Sequence, residues 1–413
     1  MEPQKKFRKI IRFLGLRRSI VGILGMVVLV GMGERLGERF LPIYLATLGG
    51  SALLIGFYGA VKNFVPALYS YFGGYVSDFL GEKRALLFFN FIAAFGFLIV
   101  IVIPAWQAVF VGALFFLAWS AVSLPATMSV VSKVLPMEKR TMGVSMISLL
   151  RRVPMAVGPV VGGFCIAYWG SITGIRVAFG IAFVMVCLSV VFQERMIEAH
   201  PLRPGKGGHG PEANPLKLFG EMSGSLRNLL VSDILIRFCE QIPDVFVVVW
   251  CMEAVAGYTT ARVTAPEFGY LSVIEMITAV LCYIPVAYLA DRGGKKPFVL
   301  MTFVNFSLFP LVLYFSRSLV WLAVAFVVRG LKEFGEPTRK ALIMDLAPEH
   351  RKAAMFGLYY LIRDTIVSLA AMLGGLLWWG FGPKANLMTA FAFGALGTLW
   401  FAWRGRDLAA EKS

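Results

Sequence analysis

Gly74-Tyr-Val-Ser-Asp78-Phe-Leu-Gly81-Glu-Lys83-Arg84 returns 213 residues later as Ala287-Tyr-Leu-Ala-Asp291-Arg-Gly-Gly294-Lys-Lys296-Pro297. The register holds well beyond these two loops. Lys62 and Glu275 each stand sixteen positions before the aspartate of their loop. Pro125 and Pro337, Arg151 and Arg363, and Gly162-Gly163 and Gly374-Gly375 all pair at an offset of 212. Self-similarity at a fixed period marks a duplicated structural unit. The chain therefore reads as two copies of one unit.

Each unit is membrane-like in composition. Of 413 residues, 58% are hydrophobic and 15% charged, where a soluble domain carries about 25% charged residues. Mean hydropathy is +0.74. Spanning a bilayer takes about 20 apolar residues, and such runs occur at roughly 19–48, 52–77, 84–104, 107–135, 141–169 and 173–193. Six more follow at roughly 229–256, 267–290, 297–315, 318–346, 352–379 and 384–403. These runs are too long for barrel strands, and only helices or closed barrels satisfy their backbone in lipid. The expected fold is an all-α membrane protein of about twelve helices in two pseudo-symmetric six-helix bundles, at 19–193 and 229–403. The flanking segments are a basic tail at 1–18, a central loop at 194–228 and a short tail at 404–413. The central loop carries Pro201, Pro204, Pro211 and Pro215 among several glycines, the composition of a linker. Its end, Pro215 to Leu230, has the pattern of an interfacial helix.

The formal net charge is +16, and its placement points to lipid rather than nucleic acid. Lys5, Lys6, Arg8, Lys9, Arg12, Lys83, Arg84, Lys139, Arg140, Arg292, Lys295, Lys296, Arg351 and Lys352 fall on one side. The other side has Arg176, Arg262, Arg317 and Lys384. By the positive-inside rule both termini and the central loop are cytoplasmic, in a multi-pass protein of the cell membrane. The five cysteines lie in apolar runs without metal-type spacing, and the three histidines lie in polar connections. No cofactor, metal or nucleic-acid partner is expected. Without a convergent nucleophile, base or metal set, the chain is not expected to be an enzyme.

The paired loops, Gly74-x-x-x-Asp78-x-x-Gly81-x-Lys83-Arg84 and Asp291-Arg292-Gly293-Gly294-Lys295-Lys296, resemble the signature loops of the major facilitator superfamily. Gly158-Pro159-Val160-Val161-Gly162-Gly163 is similar to the end of the fifth-helix motif of its proton-coupled exporters. The resemblance spans residues 19–403. It departs from the family pattern at Phe79, Ala287 and Pro154, and the fourth span, Phe116 to Pro125, lacks the basic residue often found there. It implies alternating access about a central cavity lined by the first and seventh helices. It also implies that the two loops latch and release during transport. Physically, Asp78 and Asp291 sit at helix ends where a carboxylate can cap, Gly81 and Gly294 permit tight turns, and the cations hold the loops at an anionic surface.

Ionisable residues inside predicted spans point to function, since each costs at least about 2.5 kcal/mol when unpaired at the bilayer centre. The first span carries Glu34, Arg35, Glu38 and Arg39. The seventh carries Arg237, Glu240 and Asp244, with Glu240 and Asp244 both 206 residues after Glu34 and Glu38. The tenth carries Arg329, Lys332, Glu333, Glu336, Arg339 and Lys340 around Pro337, whereas the fourth offers only Trp119, Ser120, Ser123 and Thr127. Glu34, Glu38, Glu240, Asp244 and Glu336 are the candidate proton carriers. Arg35, Arg237 and Lys332 are candidate partners for an anion or counter-charge. A second set, Lys62, Arg151, Arg152, Glu275, Arg363 and Asp364, is the candidate gate. Under the superfamily packing Lys62 is expected to face Asp364, and Arg151 or Arg152 to face Glu275.

The expected function is secondary transport of a small polar or amphipathic solute by a monomer, with proton antiport and export as the favoured mode. Lipid or lysolipid flipping, uncoupled import, and a non-transporting receptor or scaffold are the alternatives.

Overall fold

A computed structural model of the chain describes residues 18–117, 119, 137–196, 215–252, 263–293, 295–347 and 352–406. Ser120, Ser123, Pro125, Thr127, Arg262 and Gly294 lie outside them. All regular structure among the described residues is helical, as backbone groups in hydrocarbon require.

The first span is two helices, α1 (Arg18–Glu38) and α2 (Leu41–Thr47). Then come α3 (Ala52–Leu80), α4 (Glu82–Val102), α5 (Trp106–Phe116) and the long α6 (Met137–Met196). A short α7 (Pro215–Gly220) precedes α8 (Gly224–Asp244) and α9 (Phe246–Met252), which together form the seventh span. The remainder is α10 (Ala265–Gly293), α11 (Lys296–Phe315), α12 (Leu319–Leu331), α13 (Glu336–Leu346) and α14 (Lys352–Arg404). The compact units are Met1–Leu48 with Val65–Lys206, and Gly49–Phe64 with Gly207–Ser413. The linear reading kept 49–64 with the first bundle.

Five helical segments among the described residues are long and apolar enough to cross a membrane. Two of them, Leu150–Met196 and Met355–Arg404, each hold a pair of spans. The pairs are separated at Gly170 (φ 75°, ψ 172°) and Gly382 (φ 78°, ψ −178°), again 212 residues apart. Only glycine enters that region without strain. Exposed aromatic residues flank both breaks, Tyr168 and Trp169 in one unit and Trp379 and Phe381 in the other, as at a membrane–water boundary.

The repeat is visible in packing as well as in sequence. α1 packs along α6, and α8 along α14. A methyl group added at Gly162 would lie 2.0 Å from the Leu36 carbonyl oxygen, and one at Gly374 would lie 2.0 Å from that of Ile242. Leu36 and Ile242 occupy matched positions. Each unit thus closes its central crossing on the same glycine, which lets backbone meet backbone.

The sequence pattern runs the first and seventh spans as unbroken helices and loosens the tenth at Pro337, whereas the structure interrupts all three. Each is interrupted near a proline, which removes an N–H from the helical ladder. α1 stops at Glu38 ahead of Pro42, α8 stops one residue after Pro243, and residues 332–335 form turns before Pro337. The first two interruptions fall at equivalent positions of the repeat.

Candidate functional site

Along one face of α8 stand Asp233, Arg237, Glu240 and Asp244, in steps of four, three and four. Along α12 and α13 stand Arg329, Lys332, Glu336 and Arg339, in steps of three, four and three. Residues at these spacings share a helix face. The two rows pair in antiparallel order, and every rung joins an acid to a base. Arg339 bonds Asp233. Arg237 meets Glu336 at 3.1 Å, Lys332 meets Glu240 at 2.7 Å, and Arg329 meets Asp244 at 2.8 Å. At 1.5 Å per residue the four rungs climb about 16 Å, roughly half the hydrocarbon thickness.

Cross-links bind the rungs to one another. Arg237 also reaches Glu240 at 2.6 Å, and Arg339 also reaches Glu336 at 2.7 Å. Lys340 adds a longer contact to Glu336 at 3.4 Å. Phenylalanines of α11 and α12 line the ladder. Phe306 lies under both Arg237 and Lys332, and Phe309 and Phe326 flank Arg329. Their ring faces favour the cations while their bulk excludes water. The pairing answers an energetic demand, because a lone buried ion costs several kcal/mol.

The two ends of the ladder differ. At the Asp233 end the carboxylate is 1% exposed and, besides Arg339, accepts from Arg363 at 3.4 Å and the Tyr359 hydroxyl at 3.0 Å. At the Asp244 end, where α8 stops, the carboxylate is shared by Arg329 and Lys62 at 3.1 Å. Asn63 donates to Gln241 at 2.8 Å just beside it, and Arg329 also reaches Glu275 at 3.2 Å.

These contacts replace one of the expected gate pairings, that of Lys62 with Asp364. Lys62 bonds Asp244, while Asp364 is bonded by its neighbour Arg363 at 2.7 Å. Glu275 is bonded by Arg329. The interrupted seventh and tenth spans bring Asp244 and Arg329 to where Lys62 and Glu275 can reach them. Asp233 is absent from the sequence-based set, although it stands four residues before Arg237 and so shares its face. Glu333 falls in the turn between α12 and α13, half-buried.

Glu34 and Glu38 are buried, and Arg35 bonds Glu38 at 2.7 Å within the same helix. Arg39 lies in the interruption after α1, and Arg152 is half-buried on α6. Arg151, also on α6, is within electrostatic reach of Glu34 and Arg35, yet its Nε and Nη2 are buried without a hydrogen-bond partner. Trp119 donates to Asn90 at 2.7 Å, Asn90 to Gln193 at 2.9 Å, and Gln193 to the Lys83 carbonyl at 2.7 Å.

That chain of bonds ends at a signature loop. Gly81 takes φ 79° between α3 and α4, Lys83 donates to the Glu194 carbonyl at 3.2 Å, and Arg84 is exposed. In the second unit Lys296 donates to the Ala402 carbonyl at 3.1 Å and Lys295 bonds Asp345. Glu194 and Ala402 lie near the ends of α6 and α14. Each loop lysine therefore satisfies a carbonyl at the C-terminal end of its own unit's last helix, where cations are favoured. Gly74 and Asp78 fall within α3, and Asp291 and Arg292 within α10. The side chains of Asp78, Asp291 and Arg292 lie outside the described residues.

The sequence model of the Major Facilitator Superfamily matches residues 23–261 and again 245–413. The chain belongs to that superfamily. As a member it is a multi-pass membrane protein with the superfamily's helical fold. Solved structures agree on the fold. A mutant of the nucleoside transporter NupG superposes with a TM-score of 0.78 at 12% identity, covering 94% of this chain and 100% of that one. The peptide transporter POT in complex with sulfate gives 0.73 at 14% identity, covering 94% of each chain. A POT family transporter in complex with 5-aminolevulinic acid gives 0.69 at 13%, covering 91% of this chain and 94% of that one. No curated protein sequence matches the chain.

Proposed function

We propose that this superfamily member is a proton-coupled secondary transporter. As a monomer in the cytoplasmic membrane, with both termini in the cytoplasm, it moves a small polar or amphipathic solute by alternating access. Export by proton antiport is its direction, a reading supported by the Gly158–Gly163 stretch. The carrying observation is Asp244, a carboxylate at a helix interruption that holds Arg329 and Lys62 together.

The chemistry follows from that sharing. A carboxylate's proton affinity depends on the cations that face it, so a proton and a cation compete for Asp244. Protonation releases the hold on Lys62, while Arg329 keeps Glu275. Loss of the cations, in turn, opens Asp244 to a proton. The interruption after Asp244 supplies the local freedom for that exchange. Lower on the ladder, Glu240 and Glu336 repeat the arrangement with Lys332, Arg237 and Arg339, and Glu34 and Glu38 are their counterparts in the first unit. Together these carboxylates are the coupling groups, and Lys62 with Asp244 is the gate.

Purified protein in proteoliposomes loaded with a pH-sensitive dye tests this against a panel of small polar and amphipathic solutes. The wild type is expected to move protons when a transported solute is added. Asp244→Asn is expected to lose that movement while still exchanging solute in the absence of a gradient. Wild-type solute flux indifferent to an imposed pH gradient would remove the proton from the mechanism, and absence of any solute flux would remove transport.

A further inference from the structure

Arg151 and Arg363 are the same residue of the repeat, 212 positions apart, and they stand in opposite situations. Arg363 has a carboxylate to hold, bonding Asp233 at 3.4 Å across the crossing of α14 with α8. The offset of 206 that aligns α1 with α8 puts Val27 where Asp233 stands. Val27 is buried and apolar. Arg151 accordingly has two buried nitrogens with no hydrogen-bond partner. The same duplicated geometry thus carries an arginine bonded to a carboxylate in one unit and an arginine with two unbonded nitrogens in the other.

Buried guanidinium nitrogens without a hydrogen bond are costly, and such groups are kept where something bonds them in use. We infer that Arg151 binds an oxyanion, a carboxylate or phosphate group of the transported solute, which makes to Arg151 the bond that Asp233 makes to Arg363. Arg35, close enough to sense Arg151 electrostatically, adds a second positive charge, and Glu34 opposes with a negative one. A planar guanidinium presents two parallel N–H groups to two oxygens, which fits both anions. The assignment rests on the transport reading above and narrows its solute to one bearing an oxyanion.

The test uses full-length protein in neutral detergent and needs no proton gradient, so a failure of proton coupling leaves it intact. Thermal unfolding is followed during titration with inorganic phosphate and with acetate, against chloride at equal ionic strength. Wild type is expected to show a saturable rise in Tm. Arg151→Gln is expected to lose it, with apparent affinity falling about tenfold or more. Glu34→Gln is expected to strengthen it by removing the opposing charge. The decisive variant is Val27→Asp, which supplies the missing carboxylate while leaving Arg151 in place. It is expected to unfold no earlier than wild type and to ignore both anions. No saturable rise in wild type overturns the inference, as does an equal rise in Arg151→Gln or collapse of Val27→Asp. Stabilisation by phosphatidate in the micelle, with neither phosphate nor acetate active, would transfer the site to a lipid headgroup and overturn its assignment to the solute.

Discussion

The seventh span and the first are copies, and they carry different sets of charges. Glu240 and Asp244 reach across to Lys332 and Arg329 on another span, and Asp233 and Arg237 extend the row to four rungs. At the matched positions of the first span stand Val27, Gly31, Glu34 and Glu38. Two rungs have no counterpart, and Glu38 takes Arg35 from its own helix. Both copies keep their backbone crossing and their interruption. Duplication preserved the framework, and what diverged is which positions carry a charge. The second unit compensates Arg363 with Asp233, while the first leaves two Arg151 nitrogens without a hydrogen bond.

The largest effect should come from attacking the compensated unit at its most buried rung. Asp233→Ala removes a carboxylate that serves Arg339, Arg363 and Tyr359 at once. Breaking a buried pair by deleting one partner costs about 3–5 kcal/mol, so the variant should accumulate poorly or melt far below wild type. Val27→Ala, at the same place in the first unit, removes only two methyl groups and should cost less than half as much. Comparable losses at both positions would mean that the ladder contributes nothing beyond ordinary packing.

Next in size is a pair of substitutions that should behave alike. Gly162→Ala and Gly374→Ala each push a methyl group against a backbone carbonyl at 2.0 Å. Overpacking of this kind costs about 1–3 kcal/mol, and the two losses in thermal stability should agree closely. A large loss at one glycine and none at the other would show that the crossings are not equivalent.

How much of this could be read beforehand follows from what each feature depends on. The duplication, the helical class and the family resemblance rest on local pattern, and Asp78, Asp291 and the paired glycines carried them. The carboxylates at 34, 38, 240 and 244 were visible as charges in apolar runs. Their partners were not, because pairing depends on where spans are interrupted and how they cross. Lys62, placed against Asp364 by the superfamily packing, bonds Asp244 instead, at the end of α8 where the seventh span is interrupted. Asp233 escaped notice although its spacing to Arg237 placed it on the charged face. Trp119, legible only as an aromatic residue of the fourth span, is one end of a hydrogen-bond chain leading to Lys83.

The smallest effect belongs to the signature loops, and it sharpens the comparison most cleanly because both units use the same bond. Lys83 and Lys296 donate to carbonyls at the ends of α6 and α14, and Lys83 also meets the half-exposed Glu194 at 2.9 Å. Ion pairs and helix-end charges near water contribute about 0.2–1 kcal/mol each. Lys83→Ala and Lys296→Ala should therefore shift thermal unfolding only slightly, and by similar amounts. Their transport rates carry the information. If the loops merely tie each unit's last helix, both variants should transport at close to the wild-type rate. If the loops also latch and release during the cycle, both should slow transport far beyond what their small stability losses explain. A rate loss confined to one lysine would place the latch in a single unit, making the loops, like the charges, a shared framework put to unequal use.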